Sequence, residues 1–243
     1  MASEKTATGK TGTGKAGAAG VAAGGGTGAI TPQPERLEIS TLALGPFQTN
    51  CYVVRAPGAT ACVIVDASYD SEKIVALLRR DGLTPEALLL THAHMDHIAG
   101  VPTLKRAFPA MPVLIHEAEQ DWLTDAELNL SAFSGEPVTV APPDATFPDQ
   151  SVLEFAGLRL RPLPVPGHSR GSCAFHHAES GTLFGGDALF AGSVGRTDFP
   201  GCSFEQLEKS IRTRMYTLPD ATRVLPGHGP ATTVGREKAS NPF

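Results

Sequence analysis

The sequence predicts a mixed α/β protein in which layers of β-sheet carry helices on their outer faces. The chain has 243 residues, of which 41% are hydrophobic, enough for a sizeable core. Short runs rich in β-branched and aromatic residues recur from about residue 30 onward, and amphipathic stretches separate them. Strands that alternate with helices in this way are typical of layered sheet proteins. The patterns do not give the strand order.

The first thirty residues form a separate segment by composition. Gly, Ala and Thr occupy 22 of these positions, and the segment has no aromatic residue. Such a segment buries too little apolar surface to offset the entropy lost on ordering. We therefore predict a disordered low-complexity leader over residues 1–30 and one folded domain over residues 31–243.

Ten runs in the predicted domain have the composition of strands. One of them, residues 61–65, is apolar throughout and bounded by loop residues. The predicted strands are residues 37–44, 52–55, 61–65, 87–90, 113–115, 152–155, 158–163, 173–175, 182–184 and 223–225.

Four stretches between these runs have helical patterning. The first, residues 71–80, places Ile74, Leu77 and Leu78 at helical spacing and stops at Gly82. The other predicted helices are residues 101–108, 117–129 and 204–216.

Charge and cysteine content narrow the class of protein. The net charge is −5, and it is −7 over residues 31–243 because the leader has three lysines and one glutamate. An acidic domain without a basic run does not favour nucleic-acid binding. No apolar run reaches the roughly 18 residues of a membrane helix, and no secretory signal is evident. Cys51, Cys62, Cys173 and Cys202 are far apart, which fits a reducing compartment, and we predict a cytoplasmic location without membrane association.

The strongest chemical signal follows the predicted strand 87–90. The chain continues Thr91-His92-Ala93-His94-Met95-Asp96-His97, so one loop offers three imidazoles and a carboxylate. Alternate residues of an extended segment face the same way, so His92 and His94 can point to one ion while Asp96 and His97 point to another. Imidazole nitrogen and carboxylate oxygen suit zinc, iron or manganese. This loop predicts a metal site.

Three further candidate ligands also stand at strand ends. They are His168, Asp187 and His228, each preceded by glycine, which lets the backbone turn and approach closely. Each residue alone would more often be part of an ordinary turn. Four such loops in one chain form a much stronger signal.

These residues make the sequence resemble the metallo-β-lactamase superfamily, which is marked by a His-x-His-x-Asp-His loop. The segments 167–169, 186–187 and 226–229 follow in the order of that family, and the resemblance extends over about residues 37–243. It implies a four-layer αβ/βα sandwich with two divalent metal ions at one edge. The implied ligands are His92, His94 and His168 for the first metal, Asp96, His97 and His228 for the second, and Asp187 as the bridge between them.

Within that superfamily the sequence is similar to glyoxalase II, the hydroxyacylglutathione hydrolases, especially the compact single-domain bacterial kind. The segments 186–190, 193–198 and 226–233 carry this likeness. It implies a thioesterase in which a hydroxide between the metals attacks a small substrate such as S-D-lactoylglutathione. The chain ends at Phe243, where longer glyoxalase II enzymes add a helical domain with glutathione contacts, so weaker glutathione affinity is expected. Asp187 and the lack of an export signal argue against antibiotic hydrolysis.

Four residues receive specific expected roles. Asp96 and Asp187 are the candidate catalytic carboxylates, because either can orient the hydroxide. Asp66 ends the strand 61–65 and is expected to orient a ligand imidazole, with turn capping as the alternative. Arg196 is expected to pair with a substrate carboxylate, with an ion pair to Asp198 as the alternative.

Three other functions remain as alternatives. A persulfide dioxygenase of the same fold would bind one iron through His92, His168 and Asp187. A nuclease is disfavoured by the acidic charge. A non-catalytic metal protein is disfavoured by the full ligand set, because structural sites need only four ligands. Zinc is the first expectation for the metal, with iron or manganese as alternatives, and the oligomeric state stays open.

Overall fold

The first half of the folded chain forms a six-stranded mixed sheet. The computed structural model describes Met1 and residues 36–243, so the leader predicted over residues 1–30 lies, apart from Met1, outside the described residues. The strand order follows the sequence, with β1–β3 antiparallel and β3–β6 parallel. The strands are β1 (Glu38–Leu44), β2 (Thr49–Arg55), β3 (Ala61–Val65), β4 (Thr84–Leu89), β5 (Val113–His116) and β6 (Ala145–Phe147).

The second half forms another six-stranded sheet and a small hairpin. Its spatial order is β14-β13-β10-β9-β8-β7, and β10 and β13 run parallel. The strands are β7 (Leu153–Phe155), β8 (Leu158–Pro164), β9 (Cys173–His177), β10 (Thr182–Gly186), β13 (Arg223–Pro226) and β14 (Thr232–Thr233), and the hairpin is β11 (Leu189–Phe190) with β12 (Ser193–Val194).

Helices cover the outer face of each sheet. Those of the first half are α1 (Glu72–Arg80), α2 (Met95–Ile98) and α3 (Val101–Ala107), with 3-10 segments at Glu117–Thr124 and Ser131–Phe133. Those of the second half are α4 (Phe204–Ser210), extended by a π-helical turn at Ile211–Met215, and α5 (Val234–Ser240).

Burial on both sides of the sheets explains the continuous apolar strands. In β3, Cys62 and Ile64 pack toward the helices, whereas Val63 and Val65 face the other sheet. Phe175 of the second sheet packs edge-to-face on Phe147 of the first, with ring centroids 5.8 Å apart. A separate cluster lies beneath α4 and α5. The predicted four-layer αβ/βα sandwich is confirmed.

The sequence-based prediction was wrong for most of one helix and missed several short elements. Only Glu117–Thr124 of the predicted helix 117–129 is helical, as a 3-10 segment, and Asn129 instead donates its side-chain amide to the carbonyls of Trp122 and Val138. The predicted helix 204–216 is present over residues 204–215, with π-helical geometry from Ile211 onward. The missed elements are the strands β6, β11, β12 and β14 and the helices α2 and α5. The four strands have only two or three residues, which is too short a pattern to detect, and their pairing depends on tertiary contacts.

Within residues 36–243, none of the helices combines the length and the hydropathy needed to cross a bilayer.

Candidate metal centre

The metal-ligand motif occupies the carboxyl end of β4. This strand lies between the parallel strands β3 and β5, so its end opens at one edge of the first sheet. Thr91 to His94 continue in an extended path, and Met95 begins α2. His92, His94 and His97 are all buried there.

The second sheet brings the remaining ligands to the same edge. His168 follows β8, Asp187 follows β10 and His228 follows β13, and all three meet the β4 loop. The structure therefore brings together all seven predicted ligand residues. In each of three groups, the ligand atoms lie within 4.8 Å of one another: His92 with His94 and His168, His92 with His97 and Asp187, and Asp96 with His97 and His228.

The Asp187 carboxylate lies between the two halves of this cluster. Its Oδ2 is 3.3 Å from His228 Nε2 and 3.7 Å from His168 Nε2, and its Oδ1 is 3.4 Å from His97 Nε2. One carboxylate thus faces imidazoles of both predicted ligand sets. This is the position that a bridging ligand needs.

Asp96 belongs to one half of the cluster only. Its Oδ2 lies 3.2 Å from His228 Nε2 and 3.5 Å from His97 Nε2. Thr49 Oγ1 donates a hydrogen bond to the same oxygen at 2.7 Å, which fixes the orientation of the carboxylate.

The donor atoms at the centre fit a metal ion. His92 Nε2, His97 Nε2 and Asp187 Oδ1 are buried, and among the described residues no group makes a hydrogen bond to them. Buried polar atoms nearly always have a partner. Unpartnered atoms that converge in this way, all of them imidazole nitrogens or a carboxylate oxygen, indicate a site for zinc, iron or manganese.

Asp66 holds His97 from behind. Its Oδ2 accepts a hydrogen bond from His97 Nδ1 at 2.9 Å, which leaves Nε2 directed into the cluster. Thr91 donates its backbone N–H and its hydroxyl to the same carboxylate, each at 2.8 Å. Asp66 is buried and has a left-handed backbone (φ 60°), an unusual conformation for a residue other than glycine. Of the two expected roles, the hydrogen bonds of the carboxylate fit the orientation of an imidazole; within residues 36–243 none of them goes to the turn that follows β3.

Other imidazoles are held in the same manner. His168 Nδ1 bonds to the Arg196 carbonyl at 2.8 Å, and His228 Nδ1 bonds to the Phe47 carbonyl at 3.1 Å. Hydrogen bonds at Nδ1 fix the ring orientation and leave Nε2 for a metal.

The two halves of the cluster differ in the protonation that their surroundings favour. Burial lowers the pKa of His94 to about 3 and that of His92 well below its usual range, so both are neutral ligands at pH 7. Burial opposes protonation of His228 as well, but hydrogen bonds with Asp187 and Asp96 raise its pKa to about 10. The pKa of Asp96 is about 2, because the charge of His97 outweighs the effect of burial. A metal entering this half therefore displaces protons.

Glu119 is a functional residue that sequence analysis missed. Its side chain is fully buried (0% exposed), and burial raises the pKa of its carboxyl group. One oxygen accepts the Ala93 N–H at 2.7 Å, between two ligand histidines; the other accepts the Gly171 N–H at 2.7 Å and the Ser169 hydroxyl, beside His168. Glu119 thus joins two ligand loops. It was assigned to a predicted helix in a polar stretch, and no pattern marked it as buried.

Two glycines are required by the space around Asp187. A Cβ on Gly227 would lie 2.0 Å from Asp187 Oδ1, and one on Gly195 would lie 1.8 Å from the Asp187 carbonyl oxygen. Neither distance can be accommodated without displacing the carboxylate or its backbone. Gly227, which precedes His228, therefore allows the Asp187 carboxylate to approach the backbone closely, in addition to allowing the chain to turn.

A cavity of about 710 Å³ opens onto the cluster. Arg196 lies on its wall, where its guanidinium makes two hydrogen bonds to Asp198, at 2.9 and 2.8 Å, and stacks 4.4 Å from the centre of the Phe199 ring. The alternative given in the sequence analysis, an ion pair between Arg196 and Asp198, is therefore present. The lining residues are Phe47, His94, Met95, Asp96, Asn129, Leu130, Phe133, Ser134, His168, Asp187, Phe190, Arg196, Phe199, Pro200 and His228.

Comparison of the sequence with known families and proteins agrees with this geometry. The family model described as the metallo-beta-lactamase superfamily matches residues 44–228. A probable metallo-hydrolase of Bacillus subtilis, YqgX, is 39% identical over 201 residues, covering 82% of this chain and 94% of its own. The hydroxyacylglutathione hydrolase GloC of Haemophilus influenzae is 32% identical over 208 residues, covering 85% of this chain and 98% of its own.

Solved structures give the same fold. The B3 metallo-beta-lactamase BLEG-1 is 40% identical with a TM-score of 0.81, covering 85% of this chain and 99% of its own. TTHA1623, solved in a di-iron-bound form, is 38% identical with a TM-score of 0.72, covering 84% of this chain and 99% of its own.

Proposed function

Because this chain belongs to the metallo-β-lactamase superfamily and is a metallo-hydrolase, we propose that it hydrolyses thioesters, S-D-lactoylglutathione or a related hydroxyacylglutathione among them. The observation that carries this proposal is the Asp187 carboxylate between two groups of imidazoles. The chain also matches 98% of the length of a hydroxyacylglutathione hydrolase. That likeness supports the choice of substrate.

The proposed cofactor is a pair of divalent ions, zinc in the first instance and iron or manganese as alternatives; the di-iron form of TTHA1623 supports iron. His92, His94 and His168 would hold one ion, Asp96, His97 and His228 the other, and Asp187 both. When bound, such a pair lowers the pKa of water toward 7 and polarises a carbonyl oxygen.

The residues of the chain position the nucleophile. Asp96 and Asp187 face the same space beside His228, so either carboxylate can accept a hydrogen bond from the attacking oxygen and aim its lone pair at the carbonyl carbon. Thr49 holds Asp96 in that orientation. In the overall reaction a C–O bond forms and the C–S bond breaks, giving a carboxylic acid and a thiol. The thiolate needs no strong general acid, because the pKa of an ordinary thiol is about 8.5.

The proposed setting is the cytoplasm. All four cysteines are free thiols in the described part of the chain, which fits a reducing compartment. The acidic charge of −5 supports a small-molecule substrate, with neither nucleic acid nor membrane as a partner.

A second candidate activity is hydrolysis of a β-lactam, in which a C–N bond breaks instead. The 40% identity to BLEG-1, described as a B3 metallo-beta-lactamase, favours it. The one-iron persulfide dioxygenase alternative, with His92, His168 and Asp187 as ligands, is less favoured, because Asp96, His97 and His228 form a group of their own.

The test is hydrolysis of S-D-lactoylglutathione by protein loaded with zinc, iron or manganese. The rate is measured as release of the free thiol. Asp187→Ala should abolish turnover, whereas Asp220→Ala, which removes an exposed carboxylate paired with Lys238, should not change it. A chromogenic cephalosporin and oxygen uptake with a persulfide test the alternatives in parallel. Turnover of either alternative substrate without thioester hydrolysis would refute the proposal.

A further inference from the structure

Four phenylalanines from separate segments of the chain line the cavity at the metal centre. We call Phe47, Phe133, Phe190 and Phe199 the phenylalanine wall. Phe133 is 75% exposed and Phe47 is 47% exposed, although large apolar side chains are usually covered. Exposed apolar residues that line a cavity together are typical of ligand-binding sites.

The wall reaches both halves of the ligand cluster. The Phe199 ring lies 6.0 Å from the His94 ring, and the Phe190 ring lies 6.1 Å from the His228 ring, in each case edge-to-face. A carbonyl group placed at the cluster therefore has aromatic surface beside it on either side. The wall is therefore within reach of a substituent on that carbonyl.

The cavity offers little to a charged substituent. Among the described residues that line the cavity, Arg196 is the only lysine or arginine, and its guanidinium is already paired with Asp198. Asn129 donates its amide to the carbonyls of Trp122 and Val138. The polar groups that remain belong largely to the ligand cluster, which the reaction itself requires.

We propose that the phenylalanine wall receives the acyl group of the thioester and selects acyl groups with an aromatic or long aliphatic side chain over lactoyl. This inference rests on the proposed thioester hydrolysis and specifies its substrate class. Burying a phenyl ring among aromatic side chains removes apolar surface from water and adds edge-to-face contacts. The methyl group of lactate gains far less from the same wall.

The test compares S-D-mandeloylglutathione with S-D-lactoylglutathione. These thioesters share the thiol and the α-hydroxyl group and differ only in phenyl against methyl. We expect kcat/KM to be at least about tenfold higher for the mandeloyl substrate, a ratio within the range of hydrophobic pockets. Phe133→Ala should lower that ratio several-fold, whereas Phe243→Ala, which removes an exposed ring outside the cavity, should leave the ratio as it is.

The outcomes separate this inference from the proposed function. Hydrolysis of both thioesters with equal kcat/KM, or with preference for lactoyl, would overturn the selection by the wall and leave thioester hydrolysis standing. An equal fall for both substrates in Phe133→Ala would also overturn it. Hydrolysis of neither by metal-loaded protein would overturn both proposals.

Discussion

The ligand cluster and the phenylalanine wall share one cavity but are held in different ways. Around the cluster, the residues that support the ligands make defined hydrogen bonds: Asp66 accepts three, Glu119 accepts three, and Thr49 fixes Asp96. The wall is made of rings from four separate segments of the chain. Two of these rings, Phe47 and Phe133, are exposed, and the ring of Phe133 lies largely in solvent.

This difference indicates that the cluster and the wall have separate functions. A network of buried hydrogen bonds holds ligands within the narrow tolerances that metal chemistry needs. Apolar side chains that line a cavity define its volume and polarity instead of a fixed geometry, and surface segments tolerate sequence change. We therefore expect substitutions in the ligand cluster to change the reaction rate and the metal content, and substitutions in the phenylalanine wall to change the preference among substrates.

Removal of metal should have the largest effect. A chelator is expected to abolish hydrolysis of every substrate, because the wall supplies no chemistry. It should also lower the melting temperature, since a ligand at 100 times its Kd stabilises the native state by about 2.7 kcal/mol. Calorimetry with and without added metal measures this shift. Residual hydrolysis in fully metal-free protein would contradict the account.

The substitution Gly227→Ala should have the second-largest effect. The added Cβ would lie 2.0 Å from Asp187 Oδ1, so the carboxylate must leave its position between the two groups of imidazoles. We expect kcat to fall more than the roughly 10–100-fold that loss of an outer hydrogen-bond partner costs. The control is Gly185→Ala, whose new methyl group would meet Val224 Cγ1 at 3.3 Å. Equal activity in the two variants would argue against Asp187 as a bridge.

Glu119→Gln should have an intermediate effect. The amide keeps one acceptor oxygen but presents an N–H to a group that donates, so at least one buried donor loses its partner, at a cost of about 1–3 kcal/mol in the free energy of unfolding. Metal affinity should fall about 10–100-fold, because two ligand loops lose their shared partner. Competition with a chromogenic chelator measures that affinity.

Glu237→Gln is the matched control for this change. Glu237 is also buried and accepts the Gly192 N–H at 2.8 Å and the Asn241 amide at 2.9 Å, but it ties the β11–β12 hairpin to α5 instead of the ligand loops. It should lose stability without losing metal affinity. Equal loss of affinity in both variants would mean that Glu119 acts through general stability only.

Arg196→Ala should have the smallest effect. The ion pair with Asp198 is exposed, and exposed pairs contribute little to stability, so the melting temperature should not change. The expected pairing of Arg196 with a substrate carboxylate predicts that KM for S-D-lactoylglutathione rises several-fold with kcat unchanged. Arg212→Ala, which breaks an exposed pair with Glu208, is the control. An unchanged KM would exclude the expected role of Arg196 in substrate binding.

The sequence was informative where function requires particular residue types at short spacing. The loop from His92 to His97 carries its signal within six residues, and each later ligand follows glycine at the end of an apolar strand. The burial of both faces of β3 explains why it could be recognised as an apolar run, and the same holds for residues 87–89 at the end of β4. Fold class and ligand residues could therefore be predicted together.

The remaining features depend on long-range contacts. Glu119 lies 26 residues from Ala93 and 50 from Ser169, so its role exists only in the folded chain. No local sequence pattern marks the four phenylalanines of the wall, and only the meeting of four distant segments of the chain makes them a surface. Hydrophobic patterning identifies buried faces, but it does not show which exposed aromatic residues will meet at a cavity.

Metal content per chain is the measurement that tests the central claim most directly. Protein loaded with excess zinc, iron or manganese and then freed of unbound metal would be analysed by mass spectrometry, beside His228→Ala. The account predicts two ions per chain in the natural sequence and one in the variant, because His92, His94 and His168 remain intact. One ion in both proteins would contradict the paired centre and favour the mononuclear alternative.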